Sequence, residues 1–527
     1  MPRANNPILT GFNADPSICR AGEDYYIATS TFDWYPGVQI SHSRDLVHWK
    51  VVSRPLDRLS QLDLRGNQNS GGVWAPCLTW ADGQFWLIYT DMKRWTGPFK
   101  DGHNYLVTSP TIEGPWSEPV YLNSSGFDPS LFHGPDGRKW LVNMIWDARP
   151  NHNPFGGIVL QQFDPQGNRL TGPVTRIFGG SPLGLVEGPH LTYRDGWHYL
   201  VTAEGGTFST HATTVARSKL IEGPYELMPG NPLITSSDNP GLRLQSAGHG
   251  SLVELPDGSW YLAHLCRRPA AKGRSILGRE TALQKIRWDQ DGWPRLADGG
   301  HWPHNDFEAP ALPTHPWAAD AETDGFDGPR LALAWQSWRT PLTDEVCSLS
   351  ARPGWLRLYG RESILSVFRQ SLVARRQTAF HIEAETTVDI QPGDFQHAAG
   401  LVAFYSTDNF YYLFVTKTDH APRAIGLMAC EKGQVTYPVE KEYPVAGEGP
   451  IGLKLEIDGP RLRFWYRAAD VWAPVGWELD ASILSDEHAV PCGFTGNFVG
   501  VACQDLSGQG RTADFAEFRY QVLGTKS

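Results

Sequence analysis

Five times within the first three hundred residues, an apolar and aromatic run follows a turn. The runs are YYIATS, FWLIYT, KWLVNM, HYLVTA and WYLAHL, and the turns before them fall at Glu23-Asp24, Asp82-Gly83, Asp136-Gly137, Asp195-Gly196 and Asp257-Gly258. Asp-Gly between two apolar runs marks a hairpin, because Gly accepts the positive φ of a tight turn. Eight residues before each turn stands an opener: Asp15-Pro-Ser-Ile, Trp74-Ala-Pro-Cys, Asp128-Pro-Ser-Leu, Glu187-Gly-Pro-His and His249-Gly-Ser-Leu. Successive openers lie 59, 54, 59 and 62 residues apart, too long for one hairpin and enough for a four-stranded propeller blade. SHSRDLVHW, TSPTIEGPW and RSKLIEGPY read as the outer strands and turns of such blades.

The repeat stops at a Pro-rich stretch, DFEAPALPTHPWAADAETD, which predicts a linker over 306–324. Beyond it AFHIEAETTVDI alternates Phe380, Ile382, Ala384, Thr386 and Val388 with His381, Glu383, Glu385, Thr387 and Asp389, as a strand with one buried face does. IGLKLEIDGPRLRFWY repeats the alternation across an Asp-Gly-Pro turn. The expected architecture is all-β: a five-bladed propeller over 1–305 and a β-sandwich over 325–527.

Composition agrees with this picture. With 527 residues the chain exceeds one hydrophobic core, and 54 Gly and 40 Pro suit many short strands joined by turns. A formal charge of −11 repels phosphate backbones and anionic membranes, so neither nucleic acid nor a membrane is the expected partner. Seven scattered cysteines without C-x-x-C spacing predict reduced thiols. The N-terminus MPRANNPILTGFNADPS lacks an apolar run of signal-peptide length, which predicts a cytoplasmic protein.

First strands of propeller blades line the central channel, so the five opener residues converge. Asp15, Trp74, Asp128, Glu187 and His249 would then share one cavity. Asp and Pro also form turns, and for a single opener that reading explains as much. For three carboxylates in the same slot it explains less. Paired carboxyls are what glycoside hydrolysis needs, one to protonate the leaving oxygen and one to activate water or attack C1. A third would hold up the pKa of the acid by like-charge repulsion. Phe32, Trp74, Trp146 and Phe208 are aromatic platforms for a sugar ring. Divalent-metal hydrolysis competes, but no D-x-D-x-D loop or H-x-x-x-H pair supports it, and G-x-S-x-G and Walker motifs are missing from the sequence.

The phrases NPILTGFNADPSICR, GGVWAPCL, GFDPSLF, LVEGPHLTYRDGWHYL, AEGGT, SAGHGS, LGRETALQK and FTGNFVGVACQD together resemble glycoside hydrolase family 43, in its two-domain β-xylosidase/α-L-arabinofuranosidase form. The resemblance implies a concanavalin-like jelly roll for the second domain. It implies an exo-acting, inverting enzyme that releases xylose from xylo-oligosaccharides such as xylobiose, with side activity on arabinofuranosides. Asp15 would be the general base, Glu187 the general acid, and Asp128 the residue that orients the acid and tunes its pKa. Phe32, Trp74, Trp146, Thr207, Phe208, His249 and Arg279 would form the sugar pocket, with Phe498 closing it from the sandwich. No cofactor is required; a structural Ca2+ near His249, held through water, is left open, as is association into a dimer or tetramer. Three other readings stand beside this one: arabinofuranosidase as the main activity, a non-catalytic carbohydrate-binding propeller, and a retaining fructan hydrolase of the invertase kind. The last is disfavoured because the opener phrases differ from the Asn-Asp-Pro-Asn, Arg-Asp-Pro and Glu-Cys phrases of that group.

Overall fold

The computed structural model describes residues 2–468 and 470–524; residue 1 and residues 525–527, the outer ends of the two expected domains, lie outside the described residues. It is almost entirely β, its helical turns being the three-residue segments Ala271–Gly273 and Ala481–Ile483.

Five sheets of sequential antiparallel strands form the propeller. The first blade runs Ala14–Ala21, Asp24–Ser30, Gln39–Ser43 and Lys50–Ser53, and the fifth Gln245–Glu254, Trp260–Arg267, Glu280–Trp288 and Pro294–Leu296. At Asp82-Gly83 and Asp195-Gly196 both turn residues have positive φ, as a two-residue hairpin requires. Asp136-Gly137 and Asp257-Gly258 instead sit in five-residue loops in which only the glycine has positive φ. In the first blade the turn is Gly22-Glu23, one residue earlier than expected.

Apolar side chains fill the wedges between neighbouring blades. Ile18 and Ile27 of the first blade, for example, pack with Tyr261 and Leu283 of the fifth. The ring is closed there by the N-terminal segment, which lies along the strand Glu280–Trp288. Leu9 bridges Thr281, the Asn6 side chain bonds both backbone groups of Leu283, and Arg3–Asn5 pairs with Asp306–Glu308. The stretch expected as a linker is therefore anchored at both ends, since Thr323–Asp324 pairs with the last strand of the sandwich, Thr512–Val522.

The sandwich is two antiparallel sheets packed over a core that includes Ile382, Leu401, Leu453 and Phe515. Along His381–Asp389 the expected alternation appears, with Ile382, Ala384, Thr386 and Val388 buried. One sheet does not stop at the domain boundary. Its edge strand is Trp34–Tyr35 of the propeller, paired with Gln336–Trp338. Trp34 is fully buried between Trp338 and Phe498, and stacks on the Phe498 ring at 3.6 Å. Close by, the backbones of the two domains touch: a Cβ on Gly278, whose φ is +71°, would lie 2.1 Å from the Thr495 carbonyl oxygen.

Removing the sandwich uncovers Trp34 and its neighbours, each worth roughly 1.5–3 kcal/mol of burial. A fragment of residues 1–305 is therefore expected to aggregate, or to remain soluble only with kcat/KM reduced at least tenfold. A soluble monomer with unchanged kcat and KM would show that the sandwich is dispensable.

Candidate active site

Four of the five inner strands are broken by the same two-residue bulge, and the third begins at Ser130 just after the corresponding pair, ahead of which the Phe127 carbonyl accepts from the Met144 N–H. The first residue of each pair has left-handed backbone: Asp15 (φ 54°), Ala75 (23°), Asp128 (53°), Gly188 (55°) and His249 (50°). Pairing resumes at Ser17, Cys77, Ser130, His190 and Ser251. This alters the equivalence read from the sequence. Trp74 and Glu187 do not share the slot of Asp15, Asp128 and His249; they stand one residue earlier, before the bulge. Non-Gly residues with positive φ cost energy and cluster where a side chain must be aimed, and here three of them are aimed at one cavity.

The cavity is about 220 Å³, smaller than the roughly 300–1,000 Å³ of pockets that take drug-sized molecules. Asp15, Asp128 and Glu187 all line it, with Phe32, Trp74, Trp146, Thr207, His249 and Arg279. Phe208 does not; it lies against the Arg267 guanidinium, 4.5 Å from its ring, because the turn after Gly206 carries it away from the axis. Phe498 does not either. As the first residue of the strand Phe498–Asp505 its side chain is committed to the stack with Trp34, and the residue that closes the pocket from the sandwich is Phe494, four positions earlier in the same phrase.

Phe494 is held from the propeller side. Its N–H donates to the Ser70 hydroxyl (3.2 Å) and its carbonyl accepts from Arg279 Nη2 (3.1 Å). The Ser70 carbonyl in turn accepts from the Trp74 indole at 2.9 Å, and the Ser70 N–H donates to Asp33 at 2.7 Å. Asp33 is paired with Arg339 of the sandwich at 2.9 Å, both fully buried. Trp74 thus meets Phe494 edge-on at 5.5 Å and Phe127 at 5.3 Å, while Trp95 packs on Phe494 at 5.0 Å. Trp95, Lys100, Phe127, Phe155, His211 and Phe494 are lining residues that the sequence reading missed. Phe127 was the most legible of them, since it precedes the opener Asp128 as Trp74 precedes Ala75.

The acids differ in environment. Burial pushes Asp15 up, but Arg279, His249 and Ser30 outweigh it, so its carboxyl titrates below the ordinary aspartate value. Arg279 Nη1 donates to Oδ1 at 2.6 Å, Ser30 Oγ to Oδ2 at 2.7 Å, and His249 Nδ1 stands 3.7 Å away. Glu187 moves the other way. Burial first, and then the Asp15 charge, raise it to about 8 against the opposing pull of Arg279 and Lys100. Asp128 is also raised, by burial and then by the charges of Glu187 and Asp15, although the Gly188 N–H donates to it at 3.1 Å. Lys100 is fixed between the Trp95 carbonyl (2.6 Å) and the Trp146 ring (4.2 Å). His211 is kept neutral, burial and the neighbouring His249 lowering it to about 3, and its Nδ1 meets the Gly206 carbonyl at 2.6 Å.

Among the described residues no three His, Cys, Asp or Glu side chains are grouped to hold a metal ion. What the cavity does hold is one carboxyl kept below its ordinary pKa and two raised above theirs, within aromatic walls. That arrangement, in the mouth of a propeller, is the equipment of a glycosidase.

The chain belongs to glycosyl hydrolases family 43. That family's model matches residues 4–294, and a model described as the β-xylosidase C-terminal concanavalin A-like domain matches residues 323–521. Over 99% of its length the chain is 50% identical to the xylosidase/arabinosidase 43B of Humicola insolens, and over 98% it is 48% identical to a β-xylosidase of Bacillus subtilis; the alignments cover 98% and 99% of those proteins. The crystal structure of a xylan β-1,4-xylosidase from Bacillus halodurans superposes with a TM-score of 0.98 at 53% identity, covering 98% of this chain and all of that one.

Proposed function

We propose that this glycosidase is an exo-acting, inverting β-xylosidase that releases terminal xylose from short β-1,4-xylo-oligosaccharides such as xylobiose. The observation that carries the reading is the convergence of Asp15 and Glu187 in one small pocket capped by Phe494, with their pKa values displaced in opposite directions. Asp15, ionised, takes a proton from the attacking water. Glu187, protonated, delivers one to the departing oxygen. Asp128, which accepts from the N–H of the residue after Glu187, orients the acid. A water attacking from the face opposite the leaving group inverts C1, so β-linked substrate yields α-xylose first.

Three side chains, Phe32, Trp74 and Trp146, offer flat apolar faces to the ring, and the cap over the pocket favours a chain end over a mid-chain site. The sandwich supplies that cap, so in this reading the propeller (1–305), connector (306–324) and sandwich (325–527) act as one catalytic unit. The names of the relatives support xylosides as the substrate class, and the Humicola protein's double name supports arabinofuranosides as a second one. The chemistry asks only for carboxylates and water, with no cofactor. Each of the seven cysteines stands free, which suits a reducing cytoplasm where imported short oligomers are cut.

Proton NMR of xylobiose hydrolysis tests the proposal in one experiment. The expected first signal is the α-anomer of xylose, ahead of mutarotation. β-Xylose first would overturn inversion, and no cleavage beside rapid turnover of an arabinofuranoside would make the second substrate class the main one.

A further inference from the structure

A second and larger cavity, about 770 Å³, lies away from the catalytic pocket, in the seam between the first blade, the Pro-rich connector and the sandwich. Its wall carries four cationic side chains, Lys50, Arg54, Arg375 and Arg376, against two carboxylates, Asp320 and Asp324. In a chain of net charge −11 that balance is reversed from the average. Two of the cations are deeply placed, with Arg54 8% and Arg376 7% exposed. Neither has a carboxylate within ion-pair distance among the described residues. Both guanidinium groups lean on a single neutral acceptor, Gln39 Oε1, at 2.7 Å from Arg54 Nη2 and 2.5 Å from Arg376 Nη1. Their other acceptors are backbone carbonyls: Leu333 and Trp335 for Arg54, Phe12 for Arg376. Arg54 Nε and Arg376 Nη2, both shielded from solvent, have no hydrogen-bond partner among the described residues.

Burying a charge without a counter-charge is costly even after relaxation, and here two like charges are buried side by side. We propose that this seam is a binding site for a small oxyanion, a carboxylate or phosphate group, which neutralises the Arg54–Arg376 pair. The cavity's size and the indoles of Trp49 and Trp317 in its wall leave room for a ring attached to that anion. The site is joined to the catalytic strand. Gln39 Nε2 donates to Asn13 Oδ1 at 2.8 Å, and Arg376 Nε to the Phe12 carbonyl at 2.8 Å, two and three residues before Asp15. The proposal does not depend on which glycoside the enzyme cuts.

The test is thermal unfolding of the full chain titrated with inorganic phosphate, with D-glucuronate, and with sodium chloride and xylose as controls for ionic strength and for the catalytic pocket. Expected is a saturable rise of roughly 1–2 °C in Tm at ten times Kd for at least one oxyanion beyond both controls. Arg54→Gln should abolish the response and raise the Tm of the unliganded protein, because an uncompensated charge has gone. Should that variant not fold, Arg375→Gln, nearer the mouth, should weaken the response at least tenfold in Kd. A response to phosphate alone identifies an inorganic ion as the source, and to glucuronate alone an acidic sugar. No response above the controls, or one unchanged in both variants, overturns the proposal.

Discussion

Glu187→Ala is expected to lose 10²–10⁴-fold in kcat on xylobiose while keeping most of its activity on a dinitrophenyl xyloside. A general acid is needed in proportion to the basicity of the departing oxygen. A sugar hydroxyl is a poor leaving group without a proton, whereas dinitrophenolate departs unaided. The raised pKa of Glu187 adds a second readout. Its active form is the protonated one, so rate falls as pH climbs through about 8. With the dinitrophenyl substrate in Glu187→Ala, that alkaline limb should vanish. Equal losses on both substrates, with the limb retained, would mean that another group is the acid.

Asp15→Ala is expected to fall by the same 10²–10⁴-fold or more on both substrates, because water has to be deprotonated whichever group leaves. Here the active form is the ionised one. The Asp15 carboxyl is held below its ordinary value, so activity in the unmodified enzyme should persist in acid until the pH falls through that lowered pKa. Arg279→Met removes the guanidinium that sits 2.6 Å from Asp15, leaving burial unopposed by its strongest partner. The acid limb should then move to higher pH, together with a weaker hold on Phe494, whose carbonyl Arg279 also bonds. Selective rescue of Asp15→Ala by dinitrophenolate would show that acid and base are exchanged. An acid limb unmoved in Arg279→Met would remove Asp15 as its origin.

Much of the site was legible in the chain because it is written in local chemistry. A repeat of Pro-containing openers, Asp-Gly turns and aromatic strands is short-range information, and it was enough to bring three carboxylates to one axis. Two aromatics were misplaced, Phe208 by the reading of residues around the openers and Phe498 by the family resemblance. Phe494 and Phe498 stand four residues apart in FTGNFVG, and nothing between them tells which faces the pocket. That is settled by Trp34, more than four hundred residues away in sequence, which takes the Phe498 ring as its stacking partner. Phe208 was drawn elsewhere in the same manner, by Arg267.

The amino-acid sequence by itself thus determined the number of blades, the hairpin that opens each, the β-sandwich and the three carboxylates that share the cavity, since hairpin turns and alternation depend on neighbours a few residues apart. The tertiary structure alone decided three other things. It showed that Glu187 enters the site from before the bulge while Asp15 and Asp128 enter from its left-handed first residue, a difference of backbone φ that residue names do not encode. It made Trp34–Tyr35 an edge strand of the other domain. And it displaced the pKa values of Asp15 and Glu187 in opposite directions, because a carboxyl's pKa follows from what it is buried against: Arg279, His249 and Ser30 for Asp15, and for Glu187 burial and then the Asp15 charge, within an aromatic wall whose last member arrives from the sandwich.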